Sequence, residues 1–363
     1  MQKLEALGWG PSFRKQLEIF CHNGPNSVDL SPARVMIEYQ DRYQLIGADG
    51  SFWAQLSGNL RRKATDDRLC RPAVGDWVAV RPGRKDDTAT IAHLFERRSR
   101  FVRQAAGRRG EAQVVAANID AVFVVTSLNR DFNVRRIERY LTTVGESGAR
   151  PVIVLNKVDL CSDPGPFLDA LAAVAPDVPV LLVSALERHG LAELRVHIKR
   201  GETVALVGSS GVGKSTLINW LVGRAIQAVG DVREDDGRGR HTTTHRELIV
   251  MPDGGILIDT PGMRELQLWS GGDGVKDTFA ELEELATRCR FRDCSHQGEP
   301  GCAIVAAVES GQLDRGRLAS YFKLKREHAF AERRQDEGAK RAERRRWKHI
   351  IKANRVRKRI TGR

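Results

Sequence analysis

The stretch that most restricts the fold is TVALVGSSGVGKSTLINWLVG, residues 203–223. An apolar, strand-like run enters the loop Gly208-Ser209-Ser210-Gly211-Val212-Gly213-Lys214-Ser215-Thr216 and leaves as an apolar helical pattern. A G-x-x-x-x-G-K-S loop between a strand and a helix cradles the phosphates of a nucleotide. Its glycines permit the dihedrals that turn successive N–H groups inward, and the helix start adds the positive end of its dipole. Lys214 is placed to reach the β- and γ-phosphates, and the Ser215 hydroxyl to ligate Mg²⁺. The surrounding sequence alternates further apolar runs with helical patterns: AVFVVT (121–126), PVIVLN (151–156), PVLLVS (179–184) and GILIDT (255–260). Between the first two, Val134, Ile137, Tyr140, Leu141 and Val144 recur at helical spacing. This pattern predicts a doubly wound α/β sheet with ligands at the carboxyl ends of its strands. ELIVMPDGGILID reads as a hairpin turning at Pro252-Asp253-Gly254-Gly255.

Three short motifs sit at those strand ends. Asp259-Thr260-Pro261-Gly262 follows GILI, 45 residues after Lys214. Its carboxylate is placed to hold Mg²⁺ through water, and Gly262 to offer an N–H to the γ-phosphate. Asn156-Lys157-Val158-Asp159 ends PVIVLN. The Asp159 carboxylate can accept from both N1–H and the exocyclic amine of guanine. Adenine lacks that donor pair, a mismatch worth ~10⁴-fold. The Lys157 stem can lie along the base, and Ser184-Ala185 can add a backbone N–H. Each motif alone occurs in ordinary surface turns; together they describe a GTP site. Their order is unusual, because Asn156 precedes Gly208 by 52 residues. Small GTPases place the phosphate loop first, so this chain carries a cyclic shift of that order, which a domain with neighbouring termini tolerates.

Charge and cysteines divide the rest. The 363 residues carry a formal net charge of +13, yet residues 61–110 hold net +8 and residues 331–363 net +10, leaving −5 elsewhere. Two basic segments around a near-neutral middle point to nucleic acid, the alternative being a solvated charged surface. Short alternating runs over 36–105 predict five strands of a small OB-type barrel, an architecture that often holds oligonucleotides. Residues 1–35 contain Gly8, Gly10, Pro11, Gly24 and Pro25, which predict breaks in any long element. Cys289-x4-Cys294-x-His296-x5-Cys302 offers three thiolates and an imidazole, a set suited to tetrahedral structural Zn²⁺; buried free thiols are the alternative. Zinc is expected to fix a segment too poor in apolar residues to hold itself. Cys21, Cys70 and Cys161 are isolated. The expected division is an N-terminal extension over 1–35 and the barrel over 36–110. A circularly permuted GTPase domain over 111–273, a mostly helical zinc-binding domain over 274–330 and a basic tail over 331–363 follow. No apolar run approaches the ~18 residues of a membrane span, and the first residues lack a signal-like apolar core, so a cytoplasmic protein is expected.

With these residues in place, the sequence resembles the circularly permuted GTPases of the RsgA family, also called YjeQ or YloQ. The resemblance covers nearly the whole chain, and the family's GRHTTT switch stands here as Gly239-Arg240-His241-Thr242-Thr243-Thr244. It implies a GTPase acting late in maturation of the 30S subunit, binding 16S rRNA, with hydrolysis stimulated by that subunit. It also implies Thr243 as the threonine that reaches Mg²⁺ in the triphosphate state, out of Thr242, Thr243 and Thr244. Residues 225–245 are rich in glycine and charge and read as a mobile loop. Met263 occupies the place where many GTPases keep a water-positioning glutamine, and a thioether cannot orient water. Slow intrinsic hydrolysis is therefore expected, with His241 orienting water once a partner orders the loop; a solvent-facing His241 is the alternative. A monomer is expected. The competing functional reading is an RNA-binding assembly module, or a tRNA- or mRNA-associated factor, whose GTP site is regulatory. Lys214, Ser215 and Asp259 argue against a dead site, and Asp159 against an ATPase.

Overall fold

The computed structural model describes residues 2–23, 30–39, 42–83, 88–104, 112–129, 131–226, 246–259, 274–331 and 333. Two helices, α1 (Gln2–Glu5) and α2 (Pro11–Asn23), come first. Pro11 opens α2 rather than breaking it, because the first turn of a helix needs no N–H from that residue. Trp9 and Phe13 pack with Trp77 and Phe95, which fixes this segment to the outside of the barrel that follows.

The barrel strands are β1 (Ser31–Glu38), β2 (Tyr43–Gly47), β3 (Gly50–Leu56), β4 (Trp77–Arg81) and β5 (Ala89–Leu94). Their order is β1-β2-β3-β5-β4, and β4 pairs back onto β1 to close the ring. Helix α3 (Gly58–Asp66), capped by the Ser57 hydroxyl, connects β3 to β4. Alternation puts Val35, Tyr43, Leu45, Val78 and Ile91 inside. This is the expected five-stranded OB-like barrel. A two-stranded hairpin, β6 (Arg100–Gln104) and β7 (Ala112–Ala117), leads out of it.

Next come β8 (Ala121–Ser127), α4 (Val134–Ser147), β9 (Arg150–Asn156), α5 (Gly165–Ala172), β10 (Val180–Leu182), α6 (Leu191–Val196), β11 (Thr203–Val207), α7 (Lys214–Val222), β12 (Glu247–Val250) and β13 (Ile256–Asp259). The sheet runs β10-β9-β8-β11-β13-β12, parallel except for β12. Every residue of β8 and of β11 is buried, because helices cover both faces. Ile137, Leu141 and Leu171 cover one face; Leu194, Leu217 and Leu221 cover the other. β12 and β13 form the anticipated hairpin, closed by the Met251 N–H to the Gly255 carbonyl at 2.8 Å.

β12 also pairs with β1, at Ile37 opposite Glu247, so the barrel and the nucleotide domain share one sheet of eleven strands. Arg34, fully buried, binds four segments at this seam. It donates to the carbonyls of Leu7 (2.7 Å), Gly75 (3.1 Å) and Asn118 (3.1 Å) and to the Thr203 hydroxyl (2.8 Å).

The C-terminal domain contains α8 (Gly274–Thr278), α9 (Ala280–Ala286), α10 (Ala303–Glu309) and a helix over 315–331. The expectation that this part lacks an apolar core needs correction. Only the cysteine-bearing loop is polar; the flanking helices bring Phe279, Leu282, Ile304, Tyr321 and Leu324 together. Among the described residues no helix is long and apolar enough to cross a membrane.

Candidate functional site: a nucleotide pocket and a cysteine–histidine cluster

The carboxyl edge of the parallel sheet gathers the motifs that the chain order separates. Gly208 leaves β11 with φ +146°, and a Cβ there would lie 2.1 Å from the Val125 carbonyl of β8. Gly213, at φ +96°, precedes α7, and a Cβ there would lie 2.2 Å from Nδ2 of Asn156. Both positions exclude any side chain by contact as well as by dihedral. Val212 is buried in the core and anchors the loop, while Ser210 and Gly211 are exposed. Lys214 begins α7, and its ammonium donates to the carbonyls of Gly208 (2.8 Å) and Ser209 (2.5 Å). Ser215 and Thr216 follow in the first helical turn, half-buried.

Asn156 joins the guanine-side motifs to this loop. Its Nδ2 donates to the Val212 carbonyl at 2.7 Å, and its Oδ1 accepts from the Ala185 N–H at 3.0 Å. One buried amide thus ties together β9, the phosphate loop and the Ser184-Ala185 turn. Lys157 takes a left-handed conformation, φ 65°, a strained setting for a lysine that turns the chain sharply after the strand. Asp159 follows in a short 3-10 turn, Val158–Leu160, and its Oδ1 is buried without a hydrogen-bond partner among the described residues. A buried carboxylate oxygen left unpaired is costly, so this atom is set for a donor that the described residues do not supply. Ser184 is buried, and its hydroxyl accepts from the Glu187 N–H at 3.1 Å, which shapes the turn carrying Ala185.

Asp259 ends β13, buried, beside the phosphate-loop strand β11. Gly262, His241 and Thr243, with Met263, lie outside the described residues, as does the basic tail from residue 334.

Sequence reasoning missed one polar group at this edge. After β8, Asp131 accepts from the Ser209 hydroxyl at 2.5 Å. Arg136 donates to its Oδ1 at 2.9 Å and also to its carbonyl, and Asn129 accepts from the Asp131 N–H at 2.9 Å. The available signal was positional: SLNRDFN leaves an apolar strand at the ligand-bearing edge. A second missed feature is Glu138, a fully buried acid on α4 beside Ile137. It pairs with Arg317 (2.8 Å) and Arg135 (2.6 Å) and accepts from Ser320 (2.6 Å), docking the C-terminal domain on α4. The signal was a charge embedded in the apolar stripe of that helix.

In the C-terminal domain the ligand atoms of Cys289, Cys294, His296 and Cys302 lie within 4.8 Å of one another. Cys289 Sγ is 3.6 Å from His296 Nδ1 and 3.9 Å from Cys302 Sγ, and Cys302 Sγ is 3.6 Å from the same nitrogen. Ligands held at roughly 2.0–2.3 Å around one tetrahedral ion stand about 3.5–3.8 Å apart, so the set fits a single metal. Burial holds the His296 imidazole below its ordinary pKa, in the neutral form that ligates. At Cys289 burial is outweighed by N–H groups of Ala303 and Ile304 at the start of α10, which hold the thiol below its usual range. Burial and the neighbouring thiols push Cys294 up to about 11, a proton that a bound cation would displace.

A family profile described as RsgA GTPase matches residues 94–269. The protein named small ribosomal subunit biogenesis GTPase RsgA of Opitutus terrae is 46% identical over 99% of both chains. The chain belongs to the RsgA GTPase family. Among solved structures, YjeQ from Thermotoga maritima is similar at a TM-score of 0.62 with 25% identity, covering 83% of this chain and 99% of that one. YloQ, described as a circularly permuted GTPase, is similar in fold at a TM-score of 0.61 with 24% identity, covering 85% of this chain and 98% of that one. The permuted order read from the motifs agrees with the circularly permuted fold of YloQ.

Proposed function

We propose that this chain hydrolyses GTP to GDP and phosphate as a factor in late maturation of the small ribosomal subunit. The observation that carries the reading is the Asn156 bridge, which holds on one edge the Lys214 loop and an Asp159 carboxylate oxygen that has no partner among the described residues. Asp159 accepts the two guanine donors, with Lys157 along the base and the Ala185 N–H beside it. The phosphate loop, Gly208 to Thr216, wraps the anion with backbone N–H groups, and the Lys214 ammonium transfers from the Gly208 and Ser209 carbonyls to the β- and γ-oxygens. Ser215, Thr243 and, through water, Asp259 would hold Mg²⁺, which would supply positive charge against the negative charge developing on the phosphates. Gly262 offers its N–H to the γ-phosphate, and His241 orients the attacking water in place of the missing glutamine. The cluster of Cys289, Cys294, His296 and Cys302 holds one structural Zn²⁺, since thiolate and imidazole donors with no position open to substrate suit that ion.

The binding partner in this reading is the 30S subunit through 16S rRNA, reached by the barrel, the metal-binding domain and the basic tail. The protein acts as a monomer in the cytoplasm. Purified protein is expected to hydrolyse GTP slowly alone and much faster with 30S subunits than with 50S subunits or free RNA. It should co-sediment with 30S particles in a non-hydrolysable GTP analogue and less in GDP. Equal turnover with and without every ribosomal particle would remove the reading.

A further inference from the structure

We infer that Asp131 sets the balance between GTP and GDP in the pocket, acting as a fixed negative charge behind the phosphate loop. The inference rests on reading the pocket as a GTP site. Asp131 is not needed to start α4, because Asn133 already caps that helix, accepting from the Arg136 N–H at 3.0 Å. Its two carboxylate oxygens are divided. Oδ1 faces the Arg136 guanidinium, and Oδ2 accepts from the hydroxyl of Ser209, the first loop residue after Gly208. The carbonyl of that same Ser209 accepts from the Lys214 ammonium at 2.5 Å. A carboxylate therefore stands one residue away from the cation that meets the terminal phosphates.

Its position is fixed from three sides, by Ser209, by Arg136 and by the Asn129 side chain on its N–H. Arg136 offsets part of the charge, but both members of that pair are about one-third exposed, so water screens the offset. A triphosphate brings more negative charge to this end of the loop than a diphosphate does. A fixed anion there opposes the triphosphate more, which biases the free protein toward GDP.

The test measures dissociation constants of the full chain for GDP and for a non-hydrolysable GTP analogue by isothermal titration, at constant Mg²⁺. Asp131→Asn keeps an acceptor oxygen for Ser209 and removes the charge. Its ratio of affinities is expected to move toward the triphosphate by roughly three- to tenfold, the scale of one partly screened charge. Asp131→Glu keeps the charge and should stay near the wild-type ratio. Ser209→Ala removes the hydrogen bond with the charge in place, so it should weaken both nucleotides together. A ratio for Asp131→Asn within twofold of wild type would overturn the inference. So would an equal shift in Ser209→Ala, which would assign the effect to loop geometry. Wild-type protein that binds neither nucleotide would instead remove the GTP-site reading, and this inference with it.

Discussion

Arg34 and Arg317 are both buried, and each holds a neighbouring domain to the nucleotide domain, but by different means. Arg34, at the barrel seam, donates to three carbonyls and one hydroxyl from four separate segments. Burial brings its pKa down to about 10, so it stays protonated at neutral pH. Arg317, at the C-terminal seam, meets Glu138 at 2.8 Å and Glu281 at 2.7 Å, donates to the Thr278 carbonyl at 2.6 Å and lies over the Phe279 ring. Around it, Arg135–Asp314 and Arg139–Glu327 are partly exposed pairs. A seam held through backbone carbonyls cannot be re-paired by changing side chains. A seam held through carboxylates can be exchanged, screened or switched. The barrel is therefore built as a permanent extension of the sheet, and the C-terminal domain as a docked part.

The largest expected effect separates the two seams by metal. On the zinc reading, prolonged treatment with a chelator should loosen the C-terminal domain, since a metal held by Cys289, Cys294, His296 and Cys302 would tie that loop to α10. A structural zinc site is worth on the order of 10 kcal/mol in small domains. Limited proteolysis should then cut within 289–302, while the Trp9–Trp77 contact and its fluorescence persist. Cleavage spreading equally into the barrel would show that the seams are not independent.

Next in size is Arg34→Ala. It leaves the carbonyls of Leu7 and Asn118 short of a donor inside the protein, while the Asn118 side-chain amide still reaches the Gly75 carbonyl, at a cost of about 4 kcal/mol. Urea denaturation followed by tryptophan fluorescence should show the loss in the main transition. Arg317→Ala should cost somewhat less, about 3 kcal/mol, because Arg135 and Ser320 still satisfy Glu138. Hydrogen exchange should register that loss in α8, α9 and the helix over 315–331 first. The double variant Glu138→Leu/Arg317→Met should recover about half of it, as a buried pair removed together leaves no lone charge. An equal recovery by Arg34→Met would mean that the two seams are held in the same way.

The difference between the seams also explains what the sequence could reveal. Gly208, Gly213, Asn156 and Asp159 were legible because the backbone geometry of a phosphate loop and a strand end demands those residue types at fixed local spacing. The four metal-ligand candidates were legible for the same reason. The alternating strands of the barrel and the hairpin at Pro252–Gly255 follow from period and turn chemistry. Arg34 and Arg317 left no such mark, because their partners are 27 to 179 positions away and are mostly carbonyls or single acids. Asp131 was hidden likewise, 78 positions from Ser209. The breaks expected at Gly8–Pro11 and at Gly24 stand at the two ends of α2, but the docking of that segment was hidden, because Trp9 and Phe13 find Trp77 and Phe95 far along the chain.

The smallest expected effect sharpens the contrast within the barrel seam itself. Glu38, at the end of β1 next to the pairing with β12, has its pKa raised, chiefly by burial, with Arg71 and Arg246 opposing. Arg71 approaches at 2.9 Å, yet the net direction is upward. A carboxyl raised in the fold binds its proton more tightly there than in the unfolded chain. Its stability contribution is thus fully present below the unfolded value of 4.5 and is lost as pH rises through the higher folded value. Arg34, protonated throughout this range, adds no such slope. Glu38→Gln should therefore match wild type below about pH 4 and be the more stable of the two at pH 7. Urea midpoints measured from pH 4 to pH 8 will show this as a flatter profile for the variant. A variant less stable than wild type at pH 7 would mean that the Arg71 pair outweighs burial, and the barrel seam would then share the ionic character assigned to the C-terminal one.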